Sequence, residues 1–147
     1  MKHKPIMAIA FLALTLLTGC TGGQTTTSET QPTKDYSSIA ENPNISIPGY
    51  NTLSFRAGEQ EQSVDFYNPK ENTCWFRLTL VLQDGSEDGV TLWTSDRIEP
   101  EQRVERITLS QTLDSGDYPA VLKYECFSLK DESPLNGSDI TLTLEVR

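Results

Sequence analysis

This 147-residue chain has few of the side chains that act as thiol nucleophiles or bind transition metals through sulfur or imidazole: the cysteines Cys20, Cys74 and Cys126, and one histidine, His3. His3 and both methionines fall within residues 1–19, which are interpreted below as an export segment. Without a histidine, the remainder cannot form Ser-His-Asp or Cys-His nucleophile systems, or His-ligated zinc, iron or copper sites. It also lacks the side chain that most often performs acid–base catalysis near neutral pH. We therefore predict a protein that is not an enzyme and that needs no cofactor.

The first cysteine ends an apolar segment, and the chain begins MKHKPIMAIAFLALTLLTGC. Lys2 and Lys4 make the start positive, and residues 6–17 are apolar except for Thr15. A bilayer span needs about 20 apolar residues, so this run is short for a membrane helix. It has the length of the apolar centre of a signal peptide, which we predict over residues 1–19.

The end of this segment, Leu17-Thr18-Gly19-Cys20, resembles the lipobox of bacterial lipoproteins. The resemblance implies cleavage by signal peptidase II between Gly19 and Cys20. It also implies a diacylglyceryl group on the Cys20 sulfur, which anchors the chain to the extracytoplasmic face of the cell membrane. Two acyl chains are enough for a stable anchor. The alternative is an ordinary secretory signal followed by a chance cysteine.

Residues 20–43 are predicted to be the lipidated Cys20 and a flexible tether rich in threonine, serine and glycine. Such a segment buries too little apolar surface to offset the entropy of ordering it. Its end-to-end distance should be about 25 Å, so the domain that follows stays close to the membrane.

The net charge argues against nucleic acid as a partner. The chain has 12 basic and 21 acidic side chains, a formal charge of −9. Residues 1–19 hold two lysines and no acid, so the remainder carries 10 basic and 21 acidic groups, or −11. This charge repels phosphate backbones and anionic lipid headgroups, and it favours solubility.

From residue 44 onward, short runs alternate apolar and polar residues and are separated by turn residues, as in an all-β domain. Seven strands are predicted, at 50–55, 62–67, 74–83, 90–93, 103–109, 118–129 and 139–146. Seven strands at this spacing indicate an immunoglobulin-like or fibronectin-III-like β-sandwich over residues 44–147.

One turn also resembles a motif of immunoglobulin and fibronectin type III domains. Leu113, Gly116 and Tyr118 match the Leu-x-x-Gly-x-Tyr tyrosine corner that opens the sixth strand of those domains. The resemblance implies that the Tyr118 hydroxyl bonds back to the backbone of the turn. Antibody domains have cysteine two residues after this tyrosine, where this chain has Ala120. The resemblance is therefore to modules outside the antibody family.

Cys74 begins the third predicted strand and Cys126 lies near the end of the sixth. If the two face each other, Phe76 faces Tyr124 and Leu78 faces Leu122, so one face of the strand pair is uniformly apolar. In an oxidising compartment this pairing would allow a disulfide. Two buried free thiols are the alternative. Two cysteines without histidine do not indicate a metal site.

Two further features could serve binding. Residues 84–89 form an acidic hairpin that could contribute carboxylates to calcium, or that could simply be a turn. Trp75 and Trp93 are candidate binding aromatics if they are exposed, and packing residues if they are not. The predicted strand order places residues 84–89 and 114–117 at the end far from the tether, where an outside partner is expected.

The whole layout resembles small surface lipoproteins of Firmicutes with one immunoglobulin-like domain, through the Tyr67-Asn-Pro-x-x-Asn72-x-Cys74 turn and the tyrosine corner. That resemblance implies a location and a fold, and no activity. We predict a non-catalytic binding or adhesion module for an unidentified protein or glycan. The alternatives are a protease inhibitor of immunoglobulin-like fold and an accessory subunit of an envelope transport, secretion or conjugation complex.

Overall fold

Seven β-strands and no helix make up residues 44–147, the part of the chain that this computed structural model describes. The predicted signal peptide, lipidated Cys20 and tether lie outside the described residues. The strands are β1 (Thr52–Phe55), β2 (Glu61–Tyr67), β3 (Cys74–Leu82), β4 (Val90–Thr94), β5 (Arg103–Thr108), β6 (Gly116–Ser128) and β7 (Pro134–Val146). The predicted all-β class and strand number are confirmed, and six of the seven strands agree with their predicted ends within two residues.

The strands form two sheets, an arrangement consistent with a β-sandwich. The larger sheet has five strands in the order β1-β7-β6-β3-β4, with β1 parallel to β7 and the other pairs antiparallel. The smaller sheet contains only β2 and β5, which are antiparallel. Because β2 follows β1 and β5 follows β4, the chain changes sheets at both of these connections.

Alternation of side chains along each strand creates the core. Every second residue of β3 is buried, and the intervening residues point to the opposite face of the sheet. The same period holds in the second half of β6 and at the end of β7. The fully buried apolar side chains include Phe66, Phe76, Leu78, Leu80, Leu92, Leu109, Leu122, Leu144 and Val146.

The predicted register between β3 and β6 is wrong by two residues. Cys74 pairs with Ser128, Phe76 with Cys126 and Leu78 with Tyr124. The buried face is the predicted one, because a shift of two residues keeps every side chain on its own side of the sheet. Hydrophobic alternation therefore identifies the face, and it cannot distinguish registers that differ by two.

Strand β7 begins at Pro134, five residues before the predicted start. The dipeptide Asn136-Gly137, a sequence typical of tight turns, lies inside this strand. A Cβ atom on Gly137 would lie 2.1 Å from the carbonyl oxygen of Tyr124 on β6. The β6–β7 register shifts between Tyr124 and Cys126, so Gly137 marks a bulge where two backbones come unusually close.

Candidate functional site

The described residues form a cleft of about 450 Å³ between the two sheets, here called the β4–β5 cleft. One wall is formed by residues 93–98, from the end of β4 onward. The other is formed by Gln102 and by three residues of β5, Arg103, Val104 and Arg106. A volume of this size falls in the range of small-ligand sites. The cleft lies on the flank of the domain rather than at the far end where a partner surface was expected.

The path of the chain explains why the cleft exists. Beyond β4 the chain still follows β3, because Ser95 N donates to Leu78 O at 2.8 Å and Ile98 exchanges two backbone hydrogen bonds with Phe76. It then turns and returns as β5 in the other sheet. Farther along, Ser110 N donates to Leu92 O at 2.7 Å and joins the two sheets again. The cleft is the space between the β4–β5 turn at one end and the hydrogen bond from Ser110 to Leu92 at the other.

Trp93 supplies the largest apolar surface in the cleft. Its ring is half-buried and stacks on Phe66, with ring centroids 5.8 Å apart and planes 28° apart. Val104 on β5 and Ile98 complete the apolar part of the lining. The structure therefore keeps Trp93 as a candidate binding aromatic, held in place from behind by the core.

Three arginines, Arg97, Arg103 and Arg106, give the cleft its charge, and Asp96 is the one acid that lines it. Residues 44–147 contain nine lysine and arginine side chains in all, so a third of them meet in this one place. In a domain that is acidic elsewhere, such a concentration of guanidinium groups favours anions in the cleft.

The three arginines differ in their partners. Arg97 forms ion pairs with Glu132 at 2.6 Å and with Glu99 at 3.0 Å. Arg103 pairs with Asp65 and lies 5.1 Å from the centre of the Tyr67 ring. Arg106 is exposed on β5 and forms no ion pair with any described residue. Arg106 is therefore the guanidinium most available to an added carboxylate.

Trp75, the other candidate aromatic, is only 6% exposed although it points away from the core. Its ring stacks on Phe127 at 4.2 Å, with Arg77 and Arg97 lying 5.7 and 4.8 Å from its centre. Its indole nitrogen donates to Glu132 at 2.8 Å. These contacts leave little of the ring free, and the geometry supports the packing role for Trp75.

Glu132 links the β6–β7 loop to the wall of the cleft. Its carboxylate accepts hydrogen bonds from Arg97 and Trp75, and its backbone has a φ of 60°, a left-handed conformation that is unusual outside glycine. The hydrogen bond from Arg97 is the main cause that lowers the pKa of the Glu132 carboxyl below its usual value. The charged form of Glu132 thus holds Arg97 in position.

The turn before β6 has the hydrogen bond that the tyrosine-corner pattern predicts. The Tyr118 hydroxyl donates to the carbonyl oxygen of Asp114 at 3.0 Å. Leu113 is buried, and its carbonyl accepts from Gly58 N at 2.9 Å. This turn is a structural element at the opposite end of the domain from the β4–β5 turn, and it contributes nothing to the cleft.

Cys74 and Cys126 are free, buried thiols that lie diagonally across β3 and β6. A hydrogen bond between the two thiols lowers the pKa of Cys74 and raises that of Cys126. Diagonal neighbours have Cα atoms about 7–8 Å apart, whereas a disulfide spans about 4.4–6.8 Å. The disulfide predicted from the sequence stays a prediction, and the observed register favours the thiol pair.

The acidic hairpin at residues 84–89 is organised internally. The Asp84 carboxylate accepts hydrogen bonds from the backbone and hydroxyl of Ser86, which lower the pKa of Asp84. Gly89 has a φ of 67°, and a Cβ atom there would lie 2.5 Å from the carbonyl oxygen of Leu82. No group of three His, Cys, Asp or Glu side chains within residues 44–147 could hold a metal ion.

Sequence inspection singled out Trp93 and missed the arginines. Arg103 and Arg106 lie on β5 and Arg97 in the preceding loop, so only the return of the chain brings all three to one cleft. One signal was present: residues 97–106 contain three arginines in an otherwise acidic domain. The segment also contains three glutamates, so the signal is a local concentration of arginine and not a reversal of charge.

Comparisons with known protein families, with curated proteins and with solved structures found no match to this chain. In residues 44–147 no helix has the length and apolar character needed to cross a membrane.

Proposed function

We propose that this protein is a lipid-anchored binding module of the cell surface and that its ligand occupies the β4–β5 cleft. The observation that carries the proposal is the cleft itself, in which Trp93 and three arginines meet in a domain that is otherwise acidic. Aromatic and guanidinium groups are the side chains most often responsible for affinity at binding sites. The absence of histidine after residue 19 supports binding rather than catalysis.

The fold proposed for this module is immunoglobulin-like. Three observations support it: seven strands in two sheets, the parallel pairing of the first strand with the last, and the hydrogen bond of Tyr118 in the turn before β6. Its proposed attachment is the diacylglyceryl group on Cys20, supported by the lipobox pattern. A tether of about 25 Å would hold the cleft near the membrane surface.

The test is crosslinking on intact cells that express the tagged full-length protein at its native level, followed by mass spectrometry. We expect Arg106→Gln to reduce the crosslinked species several-fold, because it removes the unpaired guanidinium of the cleft. Lys123→Gln removes the same charge from the exposed face of β6 and should leave the crosslinks unchanged. Equal crosslinking of both variants would show that the partner binds elsewhere. One dominant protein of a transport or secretion complex would instead favour the accessory-subunit alternative.

A second candidate function, protease inhibition, is favoured by the three neighbouring loops at the tether end of the domain. The Asn68 side-chain amide donates to Ile98 O at 3.0 Å and ties the β2–β3 loop to the β4–β5 loop. Arg97 and Glu132 tie the latter to the β6–β7 loop. Loops held together before binding lose little entropy when they insert into a partner's site.

Inhibition is tested by adding the full-length protein to serine, cysteine and metalloproteases that cleave a fluorogenic peptide. An inhibitor should slow at least one of them and remain intact on a gel. Replacing residues 130–132 by two glycines should abolish the effect. The same replacement of residues 85–88, at the opposite end, should preserve it. Full activity of every protease in the presence of the wild type would exclude this function for those classes.

A further inference from the structure

Strand β5 has a bonded neighbour on one side only. It pairs with β2, and no other described strand joins this two-stranded sheet. The walls of the β4–β5 cleft include residues of β5 and none of β2, so the cleft runs along the edge of β5 that β2 leaves free. A free edge presents backbone N–H and C=O groups that can accept an added strand.

We propose that the β4–β5 cleft binds an extended acidic peptide segment, which adds to the free edge of β5 as a further strand. The inference rests on the proposed binding function and specifies its ligand class. The backbone of the segment would bond to β5, and its carboxylates would contact the arginines of the cleft. A bound strand would thus continue the smaller sheet and cover Trp93.

The dimensions of the cleft set the length of the segment. The wall on the β5 side covers residues 103–106, and four residues of a strand extend about 13 Å. The turn at residues 99–102 closes one end, and the hydrogen bond from Ser110 to Leu92 closes the other. We therefore expect about four peptide residues to be in contact, with the chain entering and leaving from the open side.

Charge complementarity selects an acidic segment. Arg106 forms no ion pair with a described residue, whereas Arg103, three residues earlier on β5, has Asp65 of β2 as its partner. A guanidinium group binds a carboxylate through two parallel hydrogen bonds. The rest of the domain is acidic and repels such a peptide, so the cleft is where it would be retained.

The apolar lining adds a second requirement. Side chains of a strand point alternately to its two faces, so a segment beside β5 would turn every second side chain toward Trp93 and Val104. The intervening side chains would face the arginines. The expected pattern is therefore acidic and apolar residues in alternation. This pattern separates strand addition from a purely electrostatic attraction, which would depend on charge alone.

The test is selection of random twelve-residue peptides displayed on phage against the full-length protein in detergent. Enriched peptides are then synthesised with a fluorophore, and their binding is measured by anisotropy. We expect alternating acidic and apolar residues, and a loss of affinity of about tenfold with Arg106→Gln. Lys123→Gln should change the affinity by less than about twofold. Two versions of the peptide are compared, one methylated at the odd-numbered backbone amides and the other at the even-numbered ones. The version whose methyl groups point toward β5 should not bind, and the other should bind as well as the unmodified peptide.

Several results would overturn the proposal: no enriched peptide, binding unaffected by Arg106→Gln, or equal tolerance of amide methylation at every position. Thermal unfolding of each variant shows whether it is folded. Anionic oligosaccharides carrying the same fluorophore are tested in parallel by direct anisotropy measurements. If they bind in an Arg106-dependent way and no peptide does, the peptide inference fails while the proposed binding function stands. If nothing depends on Arg106, both fail.

Discussion

Single residues determine how closely the backbones of this domain approach one another. Gly137 is the clearest case, because it sits in β7 where the carbonyl of Tyr124 occupies the space of a side chain. Glu132 shows a different role, since its carboxylate accepts hydrogen bonds from an arginine and an indole while its backbone has a left-handed conformation. Both residues lie in the β6–β7 region that borders the tether end of the domain.

We expect Gly137→Ala to lower the free energy of unfolding by about 2–3 kcal/mol, because the added methyl group collides with backbone that must move. Gly49→Ala is the matched control. A Cβ atom at Gly49 meets nothing within 4 Å, so that variant should stay within about 0.5 kcal/mol of the wild type. Urea unfolding monitored by tryptophan fluorescence measures both. Equal stability of the two variants would contradict the close approach of β6 and β7.

The Glu132 carboxyl has a lowered pKa, mainly because of its hydrogen bond with Arg97. A lowered pKa in the folded state stabilises the protein above the ordinary carboxyl pKa of about 4.3, and this contribution is lost as the pH falls through the folded value. We therefore expect Glu132→Gln to lower the urea midpoint slightly at pH 7, by a difference that shrinks as the pH falls toward 3. Glu105→Gln, at an exposed site on β5, is the matched control. A constant difference between Glu132→Gln and wild type at both pH values would contradict this assignment.

At the scale of elements, buried polar side chains connect the loops of this domain to one another through hydrogen bonds. Asn68, only 1% exposed, donates to the carbonyls of Cys74 and Ile98 and accepts from Asn72. Asn72 in turn bonds to both backbone groups of Ser46, where the described chain begins. This network fixes the β4–β5 turn, and with it one end of the cleft.

Asn68→Ala should lower the free energy of unfolding by about 3 kcal/mol, because it removes two buried hydrogen bonds to backbone carbonyls and the oxygen that accepts from the Asn72 amide. Asn51→Ala removes the same side chain from an exposed position and should change stability by about 0.5 kcal/mol at most. Chemical denaturation gives both values. We also expect Asn68→Ala to loosen the cleft, which would appear as weaker binding of any peptide that the wild type retains. A loss for Asn68→Ala as small as that for Asn51→Ala would contradict the network.

The two-residue difference in the β3–β6 register leads to a prediction for Cys74 and Cys126. We expect both thiols to be free and to resist alkylation by iodoacetamide until the protein is unfolded, because both are buried. Peptide mass spectrometry of samples digested with and without reductant shows whether Cys74 and Cys126 are free or joined by a disulfide. A disulfide-linked pair of peptides would show that the two cysteines face each other more directly than the diagonal arrangement allows.

For the whole molecule, the proposed anchor and the proposed cleft are separable. The anchor depends on the segment around Cys20, and the cleft depends on residues 93–106 of the domain. A chain that loses its lipid should therefore retain binding in solution and lose its place at the membrane. This separation allows location and recognition to be examined one at a time.

We expect the protein isolated from its cells to begin at Cys20 and to carry the mass of a diacylglyceryl group there. Cys20→Ala removes the sulfur that the lipid needs, so this variant should retain residues 1–19. Cys74→Ala serves as the control and should be processed like the wild type. Mass spectrometry of the N-terminal peptide distinguishes the forms. Normal cleavage of Cys20→Ala would indicate an ordinary secretory signal instead of a lipobox.

The sequence by itself determined the all-β class, the number of strands and the buried face that β3 and β6 share. These follow from the alternation of apolar residues and from turn residues such as Ser115-Gly116, which act locally. The signal-peptide and lipobox interpretations also rest on local patterns. Of the candidate site, only Trp93 could be singled out, as an aromatic residue near an exposed edge.

Only the tertiary structure decided which residues from distant parts of the chain contact one another. It set the β3–β6 register two residues from the predicted one, because both registers bury the same apolar face. It placed Gly137 in a bulge rather than a turn, since that depends on how near β6 comes. It also brought Arg97 and Arg106 into one cleft, because that requires the chain to leave one sheet and return in the other. Contacts between residues distant along the chain depend on packing of the whole domain, which local patterns do not encode.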